Sequence, residues 1–255
     1  MKRKLLVIGL LLLFGAVRMG FEEQLTQEHR GAFFRNAKLD LDLRQRLGQM
    51  GFLAALSGFR SIVADVLWIQ AHSAWERTEW GRMALLFDTV TSLQPRAVLF
   101  WDMAAWHMAY NASVAALQDE SQPREALRVR RQREYFKLGE DFLLRGIQNN
   151  PDRALLYDRL GMLYSDKFKE PCKAFEAYER ASQLPNAPGY ARRFAALQLS
   201  LCPGHEREAY ERIVSLFKEG ERERMPTLLT RLKELQEKLG VPPEERIYSP
   251  PPDRP

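Results

Sequence analysis

Histidine and cysteine are scarce in this chain: four His (29, 72, 107 and 205) and two Cys (172 and 202) in 255 residues. They form no His-Glu-x-x-His and no Cys/His group at ligand spacing, so the sequence signs of a protein-built zinc site are missing. No glycine-rich phosphate loop occurs, Gly161 stands alone, and there is no Gly-x-Ser-x-Gly elbow for a nucleophilic serine. The expectation is a protein that is not an enzyme and needs no cofactor and no metal. Basic runs with interleaved aromatics are also absent, so a net charge of +5 does not read as nucleic-acid binding. Lys and Arg mix with Glu and Asp through the second half, the usual pattern of a solvated helical face. Strand-like alternation is hard to find, whereas apolar residues recur with a 3.6-residue period. With 45% hydrophobic and 28% charged residues the chain is no disordered polymer. It predicts an all-α fold.

Lys2, Arg3 and Lys4 precede an apolar run from Leu5 to Val17, which Arg18 interrupts before Met19, Gly20 and Phe21. The run is short for a membrane span and has the length of a signal peptide's core. The small residues that a cleavage site needs are poorly placed, since Phe14 precedes Ala16 and Arg18 precedes Gly20. If Arg18 snorkels, the span extends to Phe21 and an uncleaved signal anchor results. The positive-inside rule then puts the body outside the cytoplasm, periplasmic in a Gram-negative bacterium. Arg18, Arg30 and Arg35 weaken that bias, and a cytoplasmic-facing body is the alternative. Residues 22–40 read as a connecting segment. A helical pattern runs from Leu41 to Leu56, with Leu43, Leu47, Met50 and Leu56 as core positions, and Gly58 breaks it.

The densest pattern lies between Tyr157 and Pro185. Tyr157, Leu160, Gly161 and Tyr164 alternate large with small on one helix, and Ala174, Tyr178 and Ala181 do so on a second. The stretch resembles the tetratricopeptide repeat, a helix–turn–helix unit of 34 residues that opens aromatic-x-x-Leu-Gly-x-x-Tyr and ends in Pro. The first four positions fit; the second-helix trio lies one place late, and Pro185 is back in step. The resemblance implies a right-handed α-solenoid of helical hairpins whose activity is binding. Gly58-Phe59-Arg60, Ala64-Asp65-x-Leu67-Trp68 and Ala105-Trp106-x-Met108-Ala109-Tyr110-Asn111 look like stretches of membrane-anchored bacterial repeat proteins.

In this frame the repeat domain spans 41–240. A first repeat covers about 64–96, from an apolar helix beginning at Arg60 to Gln94-Pro95. A second covers 98–153, and the organising repeat covers 154–186. Pro95 to Pro151 is 56 positions and Pro151 to Pro185 is 34, so 56 − 34 = 22 surplus residues fall near 112–131. A degenerate fourth repeat covers 188–220. A capping helix, 226–239, carries the stripe Leu228, Leu229, Leu232, Leu235 and Leu239 and would seal the end of a stack. Residues 241–255, rich in proline, read as an extended or disordered tail.

The resemblance implies that the first helices line a concave groove for a protein partner. By position Trp68, His72, Glu76, Asp102, Trp106, Tyr110 and Asp158 approach it. The competing reading makes Trp68, Trp101 and Trp106 packing residues, with Asp65 and Asp102 paired to Arg60, Arg82 or Arg96. Arg128 to Arg133 reads as a solvated face paired with Glu125 and Glu134, or as a seat for an anionic partner or lipid head groups. Cys172 and Cys202 fall on turns at the same edge of stacked hairpins, where either a disulfide or two buried thiols fits. The functional expectation is a membrane-anchored scaffold or adaptor in a bacterial envelope complex, held in the inner membrane through residues 5–21. The alternatives are an enzyme or enzyme subunit of envelope polymer assembly, a cytoplasmic-facing adaptor, and a self-assembling homo-oligomer.

Overall fold

The chain turns at Gly58, whose φ of +75° is a left-handed setting that glycine adopts without a side-chain clash. It then enters helix α1 (Arg60–Glu76). The computed structural model describes residues 48, 49, 52 and 58–248. The expected anchor at 1–21, the segment 22–40, the core positions Leu43, Leu47, Met50 and Leu56, and tail residues 249–255 lie outside them. Among the described residues all regular structure is helical, and no helix is long and apolar enough to cross a membrane.

Helix α2 (Trp80–Leu93) closes at Gln94-Pro95, where proline's missing N–H and bulky ring stop it. Helix α3 (Val98–Trp106) continues through a π-helical turn (His107–Ala112) into α4 (Ser113–Leu117), and α5 (Glu125–Asn149) runs 25 residues. The surplus between the proline corners at 95 and 151 therefore lengthens both helices and their connection. Helix α6 (Ala154–Leu163) also passes into a π turn (Tyr164–Phe168), which ends at left-handed Lys169. Then follow α7 (Pro171–Ser182), α8 (Ala191–Leu199), α9 (Glu206–Glu219) and α10 (Pro226–Lys238). Pro171 and Pro226 occupy first-turn positions, where the lost N–H has no helical partner anyway. No described helix has a side-chain hydrogen bond at its N-cap, so the helices owe their stability to packing.

That packing is sequential. Each helix lies on the next in the chain, and α3 also touches α6. Small residues permit it. A Cβ on Gly139 of α5 would stand 2.7 Å from the Cβ of Ala109 and 3.0 Å from the carbonyl oxygen of Ala105. On Gly146 it would meet Trp101 at 2.9 Å, and on Gly161 the ring of Tyr178 at 2.9 Å. Ala174, Tyr178 and Ala181 are buried, as their alternation of small and large side chains expects. The two proline corners lie side by side. The amide of buried Asn150 donates to the carbonyl of Pro95 at 2.8 Å, which also accepts the indole N–H of Trp101 at 3.0 Å.

One apolar cluster runs from Ala64 to Ala195 and a second from Ala196 to Leu235, with Phe175 packed against both. A disulfide joins Cys172, in the first turn of α7, to Cys202 beyond α8, with 5.0 Å between their Cα atoms. Closing that loop contributes about 3–4 kcal/mol in the chain-entropy model. Leu228, Leu232 and Leu235 are buried against the second cluster, and Gly240 at φ +66° follows α10.

The tail from 241, which reads as extended or disordered, is tied to α10 over its described residues 241–248. Gln236 is 1% exposed. Its side chain accepts the backbone N–H of Ile247 at 2.9 Å and donates to the carbonyl of Tyr248 at 2.7 Å. A buried amide requires such partners, and Tyr248 in turn meets Phe217 with ring centroids 6.3 Å apart.

Alanine at Gly139 has no flexible neighbour to push aside, because a backbone carbonyl and an alanine face it. Gly139→Ala is expected to lose about 1–3 kcal/mol in denaturant unfolding. Gly189→Ala, whose Cβ would have no neighbour nearer than 4.0 Å, should stay within about 0.5 kcal/mol of wild type. Equal stability of the two variants would contradict the close-approach account.

Candidate functional site

Helix α3 carries one charged residue, Asp102, in an otherwise apolar run. Asp102, Trp106 and Tyr110 follow at intervals of four, so they share one helical face. Trp106 and Tyr110 stack with centroids 4.4 Å apart and planes 13° from parallel. Trp106 remains 41% exposed. With Asp102, Leu143 and Arg159 they border a shallow recess of about 220 Å³, mouth included, floored by Ala105, Ala109, Met162 and Leu163.

Arg159 of α6 closes its polar end. Nε donates to Asp102 at 3.0 Å, and a terminal nitrogen lies 3.5 Å from Asp158. Asp158 is 2% exposed, beneath the surface rather than on the groove. Its Oδ2 accepts the hydroxyl of Tyr190 at 3.0 Å, and its Oδ1 has no hydrogen-bond donor among the described residues. Burial lifts the Asp102 carboxyl above its ordinary range, against the pull of Arg159. Burial also lifts that of Asp158, against the Tyr190 hydroxyl and Arg159, with Asp102 adding to the rise.

At the outer end the Lys167 ammonium lies 4.2 Å from the centre of the Tyr110 ring. The Tyr110 hydroxyl points to Asp166 across a long 3.5 Å contact. Burial first, and then the Asp166 carboxylate, hold the Tyr110 phenol far above its usual value, so it stays a neutral donor at physiological pH.

The remaining predicted residues sit elsewhere. Trp68 is half-buried between Phe87 and Phe100, at 5.4 and 5.0 Å, as the packing reading held. Trp101 is buried in the core. His72 and Glu76 are exposed neighbours on α1, 3.8 Å apart. His72 also approaches Trp75, which meets His107 at 5.8 Å. The structure therefore gathers Asp102, Trp106, Tyr110 and, behind them, Asp158; His72 and Glu76 belong to a separate edge with Trp75. The arginines expected near the acids serve other groups: Arg82 pairs with Glu79, and Arg96 donates to the carbonyl of Asn149. On α5, Arg130 pairs with Glu134 and Arg131 with Asp119.

Sequence reasoning missed Arg159, Asp166 and Lys167. Spacing held the signal. The Asp102–Arg159 and Tyr110–Asp166 contacts span 57 and 56 positions, close to the interval between Pro95 and Pro151.

Among the described residues no group of three or more His, Cys, Asp or Glu is placed to hold a metal ion. His107 stacks on Phe87 at 5.7 Å, and its Nδ1 lies 2.9 Å from the amide nitrogen of Asn111. Burial, then nearby His72, lower its pKa below 6.5. The unfolded chain thus takes up a proton first as pH falls below that value, and stability is lost with it. Thermal unfolding should show a melting temperature that falls between about pH 7.5 and pH 5.5, with a shallower fall in His107→Gln. An unchanged slope in that variant would contradict the assignment.

Comparison with known proteins finds no family model that matches the chain and no curated protein that matches it.

Proposed function

We propose that this chain is a right-handed α-solenoid of tetratricopeptide type that acts as a membrane-anchored scaffold, docking a protein partner of a bacterial envelope complex in the Trp106–Tyr110 recess. The observation that carries the docking role is the exposed Trp106 ring, stacked on Tyr110 at the edge of an apolar-floored recess. A large aromatic held rigid and left open is the usual anchor of a protein interface.

Repeat spacing supports the solenoid. Side-chain bonds between the second and third hairpins, and between the first and second, include five that span 53 to 57 positions. Farther along, Tyr190–Asp158, Gln198–Ser165, Arg212–Glu179 and Lys238–Glu206 span 32 or 33, while Arg193–Glu223 and Arg192–Glu219 span 30 and 27. Contacts that recur at the length of one hairpin are what stacked hairpins produce. The basic cluster at 2–4 and the apolar run at 5–17 support an N-terminal anchor. The Cys172–Cys202 bridge favours an extracytoplasmic body, because disulfides persist in oxidising compartments. The anchor would raise the effective concentration of the docking face at the bilayer. The alternative of an envelope-polymer enzyme has less support, since the recess is shallow and its carboxylates answer to Arg159 rather than to a histidine.

The test is affinity capture after in-cell crosslinking, from membranes of the native host, with wild type beside a Trp106→Ala, Tyr110→Ala double variant. The expected result is one envelope complex captured by wild type and lost by a variant that keeps its circular dichroism spectrum. Capture of the same complex by the folded variant would overturn the docking site, and the absence of any specific partner would overturn the scaffold.

A further inference from the structure

The recess has an uneven charge balance. One guanidinium, Arg159, serves two carboxylates, Asp102 and Asp158. Of the charged groups only Asp102 and Arg159 line the recess, and Arg159 is shared with the buried Asp158 below, so Asp102 is incompletely neutralised. Buried Oδ1 of Asp158 has no donor among the described residues. The aromatic wall is asymmetric as well. Tyr110 already has an ammonium against its ring, whereas Trp106 is open to an incoming group.

An acidic partner segment would set its charge beside Asp102, whose one cation is already shared. A purely apolar one would strip water from Asp102 and leave it with half of one counter-ion, which is costly for a carboxylate. A cationic side chain avoids both penalties. Its aliphatic stem can cover the apolar floor while its head stays polar, and an open indole attracts a cation through its ring quadrupole.

We propose that the recess takes one arginine or lysine side chain from the partner protein, its stem along Ala105, Ala109 and Met162 and its charged head between Asp102 and Trp106. The proposal rests on the docking reading above and names the chemistry that the docking site selects.

A random short-peptide library panned against the full-length chain in detergent micelles tests it. The strongest binders would be resynthesised with a fluorophore and titrated by anisotropy, alongside versions in which the shared basic residue is norleucine or glutamate. Binders should share one basic position, and norleucine there should weaken binding roughly tenfold or more. Asp102→Asn should erase the preference for the basic residue, and Arg159→Gln, which removes the competing cation, should strengthen it. Circular dichroism melts check both variants; because their effects have opposite signs, either one that folds decides the matter. A shared acidic or apolar position, or a basic preference untouched by both variants, would overturn the proposal. Should Trp106→Ala abolish binding while no charge preference exists, the docking site stands and the cationic occupant falls. Binding that survives Trp106→Ala, or a selection that enriches nothing, would overturn both.

Discussion

Backbone-distance contact between neighbouring helices is the constraint on which this molecule depends. At Gly139, Gly146 and Gly161 there is no room for even one methyl group. Helices that approach so closely at fixed points have little freedom to slide or rotate, because tight packing turns small shifts into clashes. Alanines do the same work elsewhere: Ala64, Ala71, Ala104, Ala109, Ala174, Ala181, Ala195 and Ala209 are all buried. The large residues then fall into the remaining gaps, as Tyr178 does against Gly161 and Trp101 against Gly146.

The register that follows builds the recess. Gly139 holds α5 against Ala105 and Ala109 on the buried side of α3, leaving Asp102, Trp106 and Tyr110 to border the recess. The π turn carries α3 onward through Tyr110 without a break, and π segments inside helices are often found where function has shaped a helix. One hairpin later Arg159, Asp166 and Lys167 arrive beside these residues from α6 and its own π turn. Each element adds little alone. Together they produce an exposed Trp106, stacked on a half-buried Tyr110, beside half-buried Asp102 and buried Asp158, which share one guanidinium.

Much of the helical architecture was legible, because it depends on local pattern. Tyr157, Leu160, Gly161 and Tyr164 gave helix α6 and its π turn their face, and the corners at Pro95 and Pro151 marked helix ends. Asp102, Trp106 and Tyr110 could be read as one face from their spacing alone. The counter-ion could not. Arg60, Arg82 and Arg96 are nearer in sequence than Arg159, and only the long interval between the proline corners points to Arg159 as the neighbour. Asp158 was expected to approach the groove by the position that the resemblance gave it, yet it lies buried against the Tyr190 hydroxyl and Arg159. The π turns and the left-handed Thr78, Lys169 and Asn186 have no glycine to announce them. The anchoring of the tail was hidden for a similar reason. Its prolines describe an extended chain, but the buried amide of Gln236 needs partners and finds them at Ile247 and Tyr248.

The central claim is that this recess, and not another face of the helical array, meets the partner. A photo-crosslinking amino acid at Trp106 and at Arg133, an exposed residue on the arginine-rich stretch of α5, compares the two faces directly in intact cells. The account predicts one discrete adduct from position 106 and none of that mass from position 133. An adduct from position 133 with none from position 106 would contradict it and move the interface to the arginine-bearing face.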